Sequence, residues 1–472
     1  MKIEFKQITI IKYLFLLILS GFIAFVYVNI LHHRIMNPDA GYYLWIVNKI
    51  SEGKIPGIDI RTGYMPLSFY LLSLVKIFSD FPTYFLYLYI LLIVQLLNAL
   101  LVYFIAKNYT NDKFILALSF LFYLLLSFHS DGSFFVLEPF VNLFGLISIL
   151  LYLRIKNWVF YWMLVPGILA ALAFFCKQYG LVYFLAVPIL LIIDSNKNFS
   201  ALKRTVLYLI GYCIPFILFI LYLKFEKGGL KELITLYSGS GYGQRSIDAY
   251  LSGIFTLIKI YGIFLPFSLW ILFKDGFRNH ILVYLYLIFG FSLQFFFYKF
   301  PHYYILLIPH LVLCAVITSE CLLKKSKLRL IFIFSLSFAF LINIYADIKT
   351  TIIFSGSNSK LGKDFTEMTQ NAIQINKYVG QNDKVLLSDF DLAPYYFLGN
   401  LNPPLEKEFG IVSSDIVSKD KYLENMEQTD FILIWKNSLS RFYTEINSGN
   451  FKWVEIRISN NIFLLKKDVI NK

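Results

Sequence analysis

Long apolar runs separated by short basic loops constrain this chain more than any other feature. Runs of roughly 17–25 apolar residues are long enough to cross a bilayer as helices, and about eleven spans, three of them somewhat shorter than this, can be placed here. The chain is 58% hydrophobic and 15% charged, which leaves more apolar surface than a water-soluble core of this size can bury. The sequence therefore predicts an α-helical polytopic membrane protein. Its expected spans are Thr9–Leu31, Thr83–Ala106, Phe114–Phe128, Leu137–Leu153, Trp158–Phe175, Leu181–Ile193, Val206–Leu223, Leu251–Phe273, Ile281–Phe297, Tyr304–Leu322 and Leu330–Tyr345.

The basic residues predict the orientation of these spans. Lys2, Lys6 and Lys12 precede or open the first span, and lysines or arginines recur in every second loop. The positive-inside rule places those loops and the N-terminus in the cytoplasm. The formal net charge of +13 is thus a topology signal, and no nucleic-acid partner is expected. The first span is too long for a signal peptide and has no small-residue cleavage site, so we expect it to remain as a helix.

Two long loops and the tail are predicted outside the cytoplasm. The first loop follows the first span and contains two expected interfacial helices, Asp39–Glu52 and Pro66–Phe78. The second is Lys224–Asp248. From about Thr351 the chain becomes polar, and the odd number of spans places this tail outside. We therefore expect a multi-pass inner (plasma) membrane protein with membrane lipids around it.

The tail has the pattern of a small α/β domain. Val385–Leu387 and Phe431–Ile434 are short apolar runs typical of buried strands, and Thr369–Tyr378 has a helical pattern. Trp453–Ile456 and Ile462–Leu465 are predicted to form a closing pair of strands. The expected organisation is a transmembrane catalytic domain over residues 1–350 and an extracytoplasmic α/β domain over residues 351–472.

Asp39 is the first acidic residue after the first span. Asn37 is suited to cap a helix there, Pro38 fits its first turn, and Asp39 then faces the positive end of the helix dipole. An ionised carboxylate at the membrane surface is a candidate catalytic base for a substrate that is partly lipid. The alternative is that Asp39 only starts the helix.

Other polar residues are expected at the same external ends of spans, where charges tend to be paired or functional. Glu138 opens the fourth span and could share a cavity with Asp39, or it could be a helix-start acid beside Pro139. Lys177 lies between two spans on the external side. It could hold an anionic ligand, or its ammonium could extend to lipid headgroups.

Further candidates for binding a phosphate are His302 and a tyrosine hydroxyl at Tyr304, together with Lys299. The alternative here is an aromatic belt with a basic anchor. Arg61 and Arg245, in the two long external loops, are additional anion-binding candidates, although loop arginines are usually only solvated.

The order of these motifs resembles the polyprenyl-phosphate-sugar-dependent glycosyltransferases of the GT-C fold. That family includes the protein O-mannosyltransferases and the aminoarabinose transferase of lipid A. The resemblance covers nearly the whole chain. It rests on Asp39-x-Gly41-Tyr42-Tyr43, Pro66-Leu67-x-Phe69-Tyr70, Glu138-Pro139, Lys177-Gln178-x-Gly180 and His302-Tyr303 with Pro309.

The resemblance implies that Asp39 is the catalytic residue of the first external loop and that Glu138 or Asp131 is a second acid. Many relatives have Lys-Pro-Pro where this chain has Tyr64-Met65-Pro66, so this chain lacks the lysine that would contact the phosphate there. Tyr64 is a substrate-binding candidate in the same loop.

The implied reaction is transfer of a sugar from a polyprenyl-phosphate-linked donor to an extracytoplasmic glycan, lipid or protein. The leaving phosphate is already anionic, so the enzyme needs a base for the acceptor hydroxyl and cations for the phosphate. Direct displacement would invert the anomeric carbon. The external loops show no Asp-x-Asp motif of the kind that holds a metal in nucleotide-sugar transferases, and we expect no required cofactor.

Two other classes remain as alternatives. A non-enzymatic lipid or sugar transporter would show inverted repeats and broken helices with buried charges at mid-span. A ligase or polymerase that uses lipid-diphosphate glycans would carry more arginines on the external face.

Overall fold

A computed structural model describes residues 14, 16–24, 36–60, 62–77, 84–128, 135–155, 159–194, 199–225, 247–261, 278–296, 300–322, 365–404, 426–443 and 451–468. They fall into two compact units. The bundle unit contains the described residues within Met1–His32, Phe85–Phe225 and Gln244–Ser355. The loop–tail unit contains those within His33–Tyr84, Glu226–Gly243 and Gly356–Lys472.

Helices dominate the described residues. In chain order the α-helices are α1 (Pro38–Ser51), α2 (Leu67–Ser73), α3 (Tyr84–Ala106), α4 (Lys113–Ser127), α5 (Glu138–Ile155), α6 (Leu164–Cys176), α7 (Tyr183–Asp194), α8 (Phe199–Phe225), α9 (Ile247–Tyr261), α10 (Arg278–Ser292), α11 (Ile308–Leu322), α12 (Phe365–Ile375), α13 (Pro394–Leu398) and α14 (Leu439–Arg441). Short 3-10 turns include Phe160–Met163, Gln178–Val182, Leu293–Phe296 and Pro301–Leu306.

Among the described residues, three helices are long and apolar enough to cross a membrane by length and composition. They are Tyr84–Ala106, Glu138–Ile155 and Ala201–Phe225. Five shorter apolar helices of 10–17 residues accompany them: Lys113–Ser127, Phe160–Cys176, Gln178–Asp194, Asn279–Phe295 and Ile308–Leu322.

The predicted spans coincide with these helices in type and order. The largest difference is at α8, predicted from Val206 but beginning at Phe199. Its first turns carry Lys203 and Arg204. Because the span was placed by hydropathy, its predicted start lies after these charged residues, although the helix begins before them. The predicted spans Thr9–Leu31 and Leu330–Tyr345 lie largely or wholly outside the described residues, and Leu251–Phe273 is described only to Tyr261.

Glycines allow α6 and α8 to pack closely. A Cβ at Gly167 would collide with the carbonyl oxygen of Tyr208, and one at Gly211 would collide with that of Leu164. Small residues at such positions let helix backbones approach each other, which is a common way of packing helices in membranes.

Buried polar side chains connect the helices of the bundle around α5. Asn98 on α3 donates a hydrogen bond to the carbonyl of Pro139, 2.8 Å away. The Asn142 amide nitrogen donates to the carbonyl of Ile305 at 2.8 Å, and its oxygen accepts from the Tyr183 hydroxyl at 3.0 Å. Buried hydrogen bonds of this kind are costly to break, so they fix the start of α5 relative to its neighbours.

The loop–tail unit contains a small sheet. In its described part the strands are β1 (Val385–Leu387), β2 (Phe431–Trp435), β3 (Lys452–Arg457) and β4 (Ile462–Asp468), in the order β1-β2-β4-β3. β1 and β2 are parallel, and the other neighbours are antiparallel. The predicted strands and their closing pair are confirmed. The core of this sheet is formed by Leu386, Met426, Ile432, Ile434, Phe442 and Leu465.

The same unit contains α1 and α2. The expected interfacial helices Asp39–Glu52 and Pro66–Phe78 are present as α1 and as α2 followed by a 3-10 turn, Leu74–Ile77. Their contacts group them with the tail, whereas the predicted division at residue 350 assigns them to the transmembrane domain. The sequence pattern contains no signal for this, because the two segments are about 300 residues apart and neither predicts the other.

Candidate functional site

Three polar residues meet inside the bundle unit: Glu138, Lys177 and His302. The Lys177 ammonium donates a hydrogen bond to Oε1 of Glu138 over 2.5 Å, and both side chains are 0% exposed. Nε2 of His302 lies 4.0 Å from the same oxygen. Charges this deeply buried need a partner, because removing an ion from water costs several kcal/mol. The cluster is therefore built around one tight ion pair.

Local backbone geometry directs Lys177 into the protein. At this residue α6 ends in an extended conformation, with φ −161° and ψ 140°, and a 3-10 turn follows. Gly180 brings that turn against the end of α6, where any Cβ would collide with the backbone of Ala173. The chain therefore doubles back at Lys177, and the side chain points inward instead of along the helix.

Glu138 and His302 are held by neighbouring hydrogen bonds. Glu138 is the first residue of α5, next to the carbonyl of Pro139 that Asn98 binds. His302 lies in the turn Pro301–Leu306, which is tied to α5 by the bond from Asn142 to Ile305. The second carboxylate oxygen of Glu138 is buried and has no hydrogen-bond partner among the described residues. This oxygen can accept a hydrogen bond from a donor group that enters the cluster.

Aromatic rings surround the ammonium. Nζ of Lys177 lies 4.9 Å from the ring centroid of Tyr303 and 5.6 Å from that of Tyr179. These two rings meet edge to face at 5.4 Å, and Phe300 stacks on His302 at 5.7 Å. Aromatic faces stabilise a buried cation and leave it less hydrated, which favours binding of an anion.

Asp39 lies in the loop–tail unit. It is half-buried in the first turn of α1, where the Asn37 side chain accepts a hydrogen bond from the Ala40 amide at 3.0 Å. Pro38 occupies the first position, as predicted. Tyr64 is half-buried nearby, with ring centroids 6.4 Å from Tyr42 and 5.5 Å from Tyr43.

No protein-family model and no curated protein matches the chain. Solved structures do. ArnT from Cupriavidus metallidurans in the apo state has a TM-score of 0.65 at 11% identity, covering 96% of this chain and 97% of the other. The same protein bound to undecaprenyl phosphate has a TM-score of 0.59 at 10% identity, with 97% and 98% covered. The Archaeoglobus fulgidus oligosaccharyltransferase in the apo form has a TM-score of 0.50 at 12% identity, covering 90% and 70%. These proteins are GT-C glycosyltransferases.

The chain has the GT-C fold. Of the site residues that its sequence predicts, the structure brings together Glu138, Lys177 and His302. Arg61 and Arg245 lie outside the described residues, as do Asp131 and Lys299.

The direct pairing of Glu138 with Lys177 is new relative to the sequence prediction, which treated Glu138 as a second catalytic acid. The carboxylate contacts a cation of its own chain, which suits a residue that holds Lys177 in place. The sequence signal for this pairing was that two residues of opposite charge lie at the external ends of neighbouring predicted spans. The alternative of an ammonium that extends to lipid headgroups does not fit a side chain with 0% exposure.

Tyr304 and the two phenylalanines before Lys177 contact other parts of the bundle unit. The Tyr304 hydroxyl donates to the carbonyl of Gly253 at 2.9 Å, so Tyr303, its neighbour, is the tyrosine that faces Lys177. Phe174 and Phe175, which precede Lys177 in sequence, pack on Phe216, with ring centroids 5.0 and 4.7 Å from it.

The tail, as distinct from the two external loops, contains an Asp-x-Asp sequence, Asp389-Phe390-Asp391. Asp389 uses its carboxylate to cap a turn, accepting from the Asp391 amide at 3.1 Å. Burial, and secondarily the Asp389 charge, raises the pKa of Asp391. Among the described residues no group of three or more His, Cys, Asp or Glu side chains has metal-binding geometry.

Proposed function

We propose that this chain is a membrane glycosyltransferase that moves a hexose or pentose from a polyprenyl-phosphate-linked donor to an extracytoplasmic acceptor. The observation that carries the proposal is the buried ion pair of Lys177 and Glu138 beside His302, in a chain with the GT-C fold. One similar structure is described as bound to undecaprenyl phosphate, which supports a lipid phosphate as the ligand class.

The cluster offers an ammonium and an imidazole as donors to a phosphate. The Lys177 ammonium donates to Oε1 of Glu138, and Nε2 of His302 lies 4.0 Å from the same oxygen. A lipid phosphodiester brings one negative charge, and the departing monophosphate carries up to two. Cations therefore stabilise the leaving group more strongly than the donor, which is the condition for lowering the barrier.

The proposed reaction is a single displacement. The acceptor hydroxyl oxygen attacks the anomeric carbon and forms the new glycosidic bond. The bond from that carbon to the phosphate oxygen breaks, and its electron pair leaves with the polyprenyl phosphate. Asp39 takes the acceptor proton, and the anomeric configuration inverts. The leaving group needs no proton, so the reaction requires no general acid.

Binding of undecaprenyl phosphate to the purified protein tests this proposal. We expect saturable binding that undecaprenol, which lacks the phosphate, does not compete for. We also propose that the reaction requires no metal, so EDTA should change neither binding nor transfer. Equal competition by undecaprenol would contradict the phosphate site, and a loss in EDTA that Mg²⁺ or Mn²⁺ restores would contradict the metal-free reaction.

We also propose that the tail lies outside the cytoplasm. Asn382 is exposed in the tail and Lys107 is exposed after α3, in a loop predicted to be cytoplasmic. In a background without native cysteines, Asn382→Cys should react with an impermeant maleimide in intact spheroplasts. Lys107→Cys should react only after lysis. The reverse pattern would show that the orientation is wrong.

A further inference from the structure

We infer that the tail positions the first turn of α1, which carries Asp39, by direct backbone contact. This inference rests on the proposed function, because it assigns the tail a part in the transfer step. It concerns the loop–tail unit alone.

The closest approach is at Gly41, two residues after Asp39. A Cβ built on Gly41 would lie 2.6 Å from the carbonyl carbon of Ala393 and from Cα of Pro394. These are backbone atoms at the start of α13, so no side-chain rotation relieves the collision. Glycine is therefore required here for close packing, and the φ angle of Gly41 is not in the positive range.

The same face of α1 continues along the tail. Trp45 packs on Tyr396 with ring centroids 6.2 Å apart, and the Lys49 ammonium donates to the Asn402 side chain at 3.2 Å. Gly41, Trp45 and Lys49 are spaced four residues apart, which places them on one helix face. Tyr42 adds an edge contact with Phe390 at 6.4 Å.

The other side of α1 is held by the first loop. Tyr43 lies 6.0 Å from Phe69 and 5.5 Å from Tyr64, measured between ring centroids. The helix is thus fixed between α2 and the tail. Because the Gly41 contact lies in the same helical turn as Asp39, a shift of α1 away from α13 displaces that carboxylate by a similar distance.

Gly41→Ala is the sharpest test. Side-chain carbons do not approach backbone atoms within 3.0 Å, so the added methyl group must open the contact by roughly 1 Å. A misplacement of about 1 Å can cost on the order of 10²-fold in rate. We therefore expect kcat to fall about 10²-fold, while the KM for the donor and the binding of undecaprenyl phosphate change by less than about threefold.

The matched control is Gly380→Ala. The three atoms nearest to a Cβ at Gly380 all belong to the Asp383 carboxylate, 3.2 Å away or more, so the added methyl group meets the end of a side chain and not a backbone. We expect kcat to stay within about twofold of wild type. Should Gly41→Ala fail to fold, Phe390→Leu removes the ring contact with Tyr42 and should lower kcat roughly 2- to 10-fold, the equivalent of one aromatic pair.

The outcomes separate this inference from the proposed function. The inference would be overturned, and the proposed function left intact, if wild type transfers sugar and Gly41→Ala has an unchanged kcat per folded molecule. Where Gly41→Ala does not fold, an unchanged kcat in Phe390→Leu has the same meaning. No transfer and no undecaprenyl phosphate binding by wild type would overturn the proposed function itself.

Discussion

Asp39→Asn should remove transfer almost completely while the protein remains folded. General-base catalysis contributes on the order of 10²- to 10⁴-fold, and asparagine cannot take the acceptor proton. The change keeps the size of the side chain at a half-buried position, and it removes a favourable interaction with the helix dipole worth about 0.3–1 kcal/mol. The measurement is the initial transfer rate, together with the thermal midpoint in detergent.

Glu52→Gln is the matched control. Glu52 is an exposed acid at the other end of α1, paired with Lys49 at 2.9 Å. Exposed pairs contribute little, so transfer should stay within about twofold. A variant at Asp39 that retains near-normal turnover, or that loses its fold, would remove Asp39 from the mechanism.

Lys177→Ala should weaken donor binding and lower the rate together, because the phosphate is bound before reaction and gains charge during it. Loss of one charge-assisted contact of about 2–3 kcal/mol corresponds to a roughly 30- to 150-fold loss in kcat/KM. Lys177→Arg should recover only part of this, since a planar guanidinium differs in shape from an ammonium. The assays are undecaprenyl phosphate binding and transfer.

The buried ion pair adds a second expectation. Lys177→Ala leaves Glu138 charged and unpaired inside the protein, which typically destabilises by about 3–5 kcal/mol. The double change Glu138→Gln with Lys177→Met removes both charges at nearly constant volume and should restore the thermal midpoint without restoring transfer. Recovery of transfer in the double variant would mean that Lys177 serves only to neutralise Glu138.

The sequence predicts the type and order of the described bundle helices because a long apolar run is a direct signal of a helix that can cross a bilayer. It also predicts the turn that carries Asp39, since Asn37 and Pro38 have strong local preferences at helix starts. It does not predict that Glu138 and Lys177 bind each other, because their pairing depends on how α5 and α6 pack. The sequence also does not predict the contact of Gly41 with Pro394, because a glycine has no side chain whose type would indicate what packs against it.

The central claim is tested most directly by following both products of a single turnover. The purified protein in liposomes would receive a panel of undecaprenyl-phosphate hexoses and pentoses, labelled in the sugar, with membranes from a strain that lacks the protein as acceptor. We expect one undecaprenyl phosphate to be released for each sugar that appears on the acceptor, with inverted anomeric configuration. Labelled sugar that crosses the liposome membrane while still joined to its lipid would instead show a transporter and contradict the account.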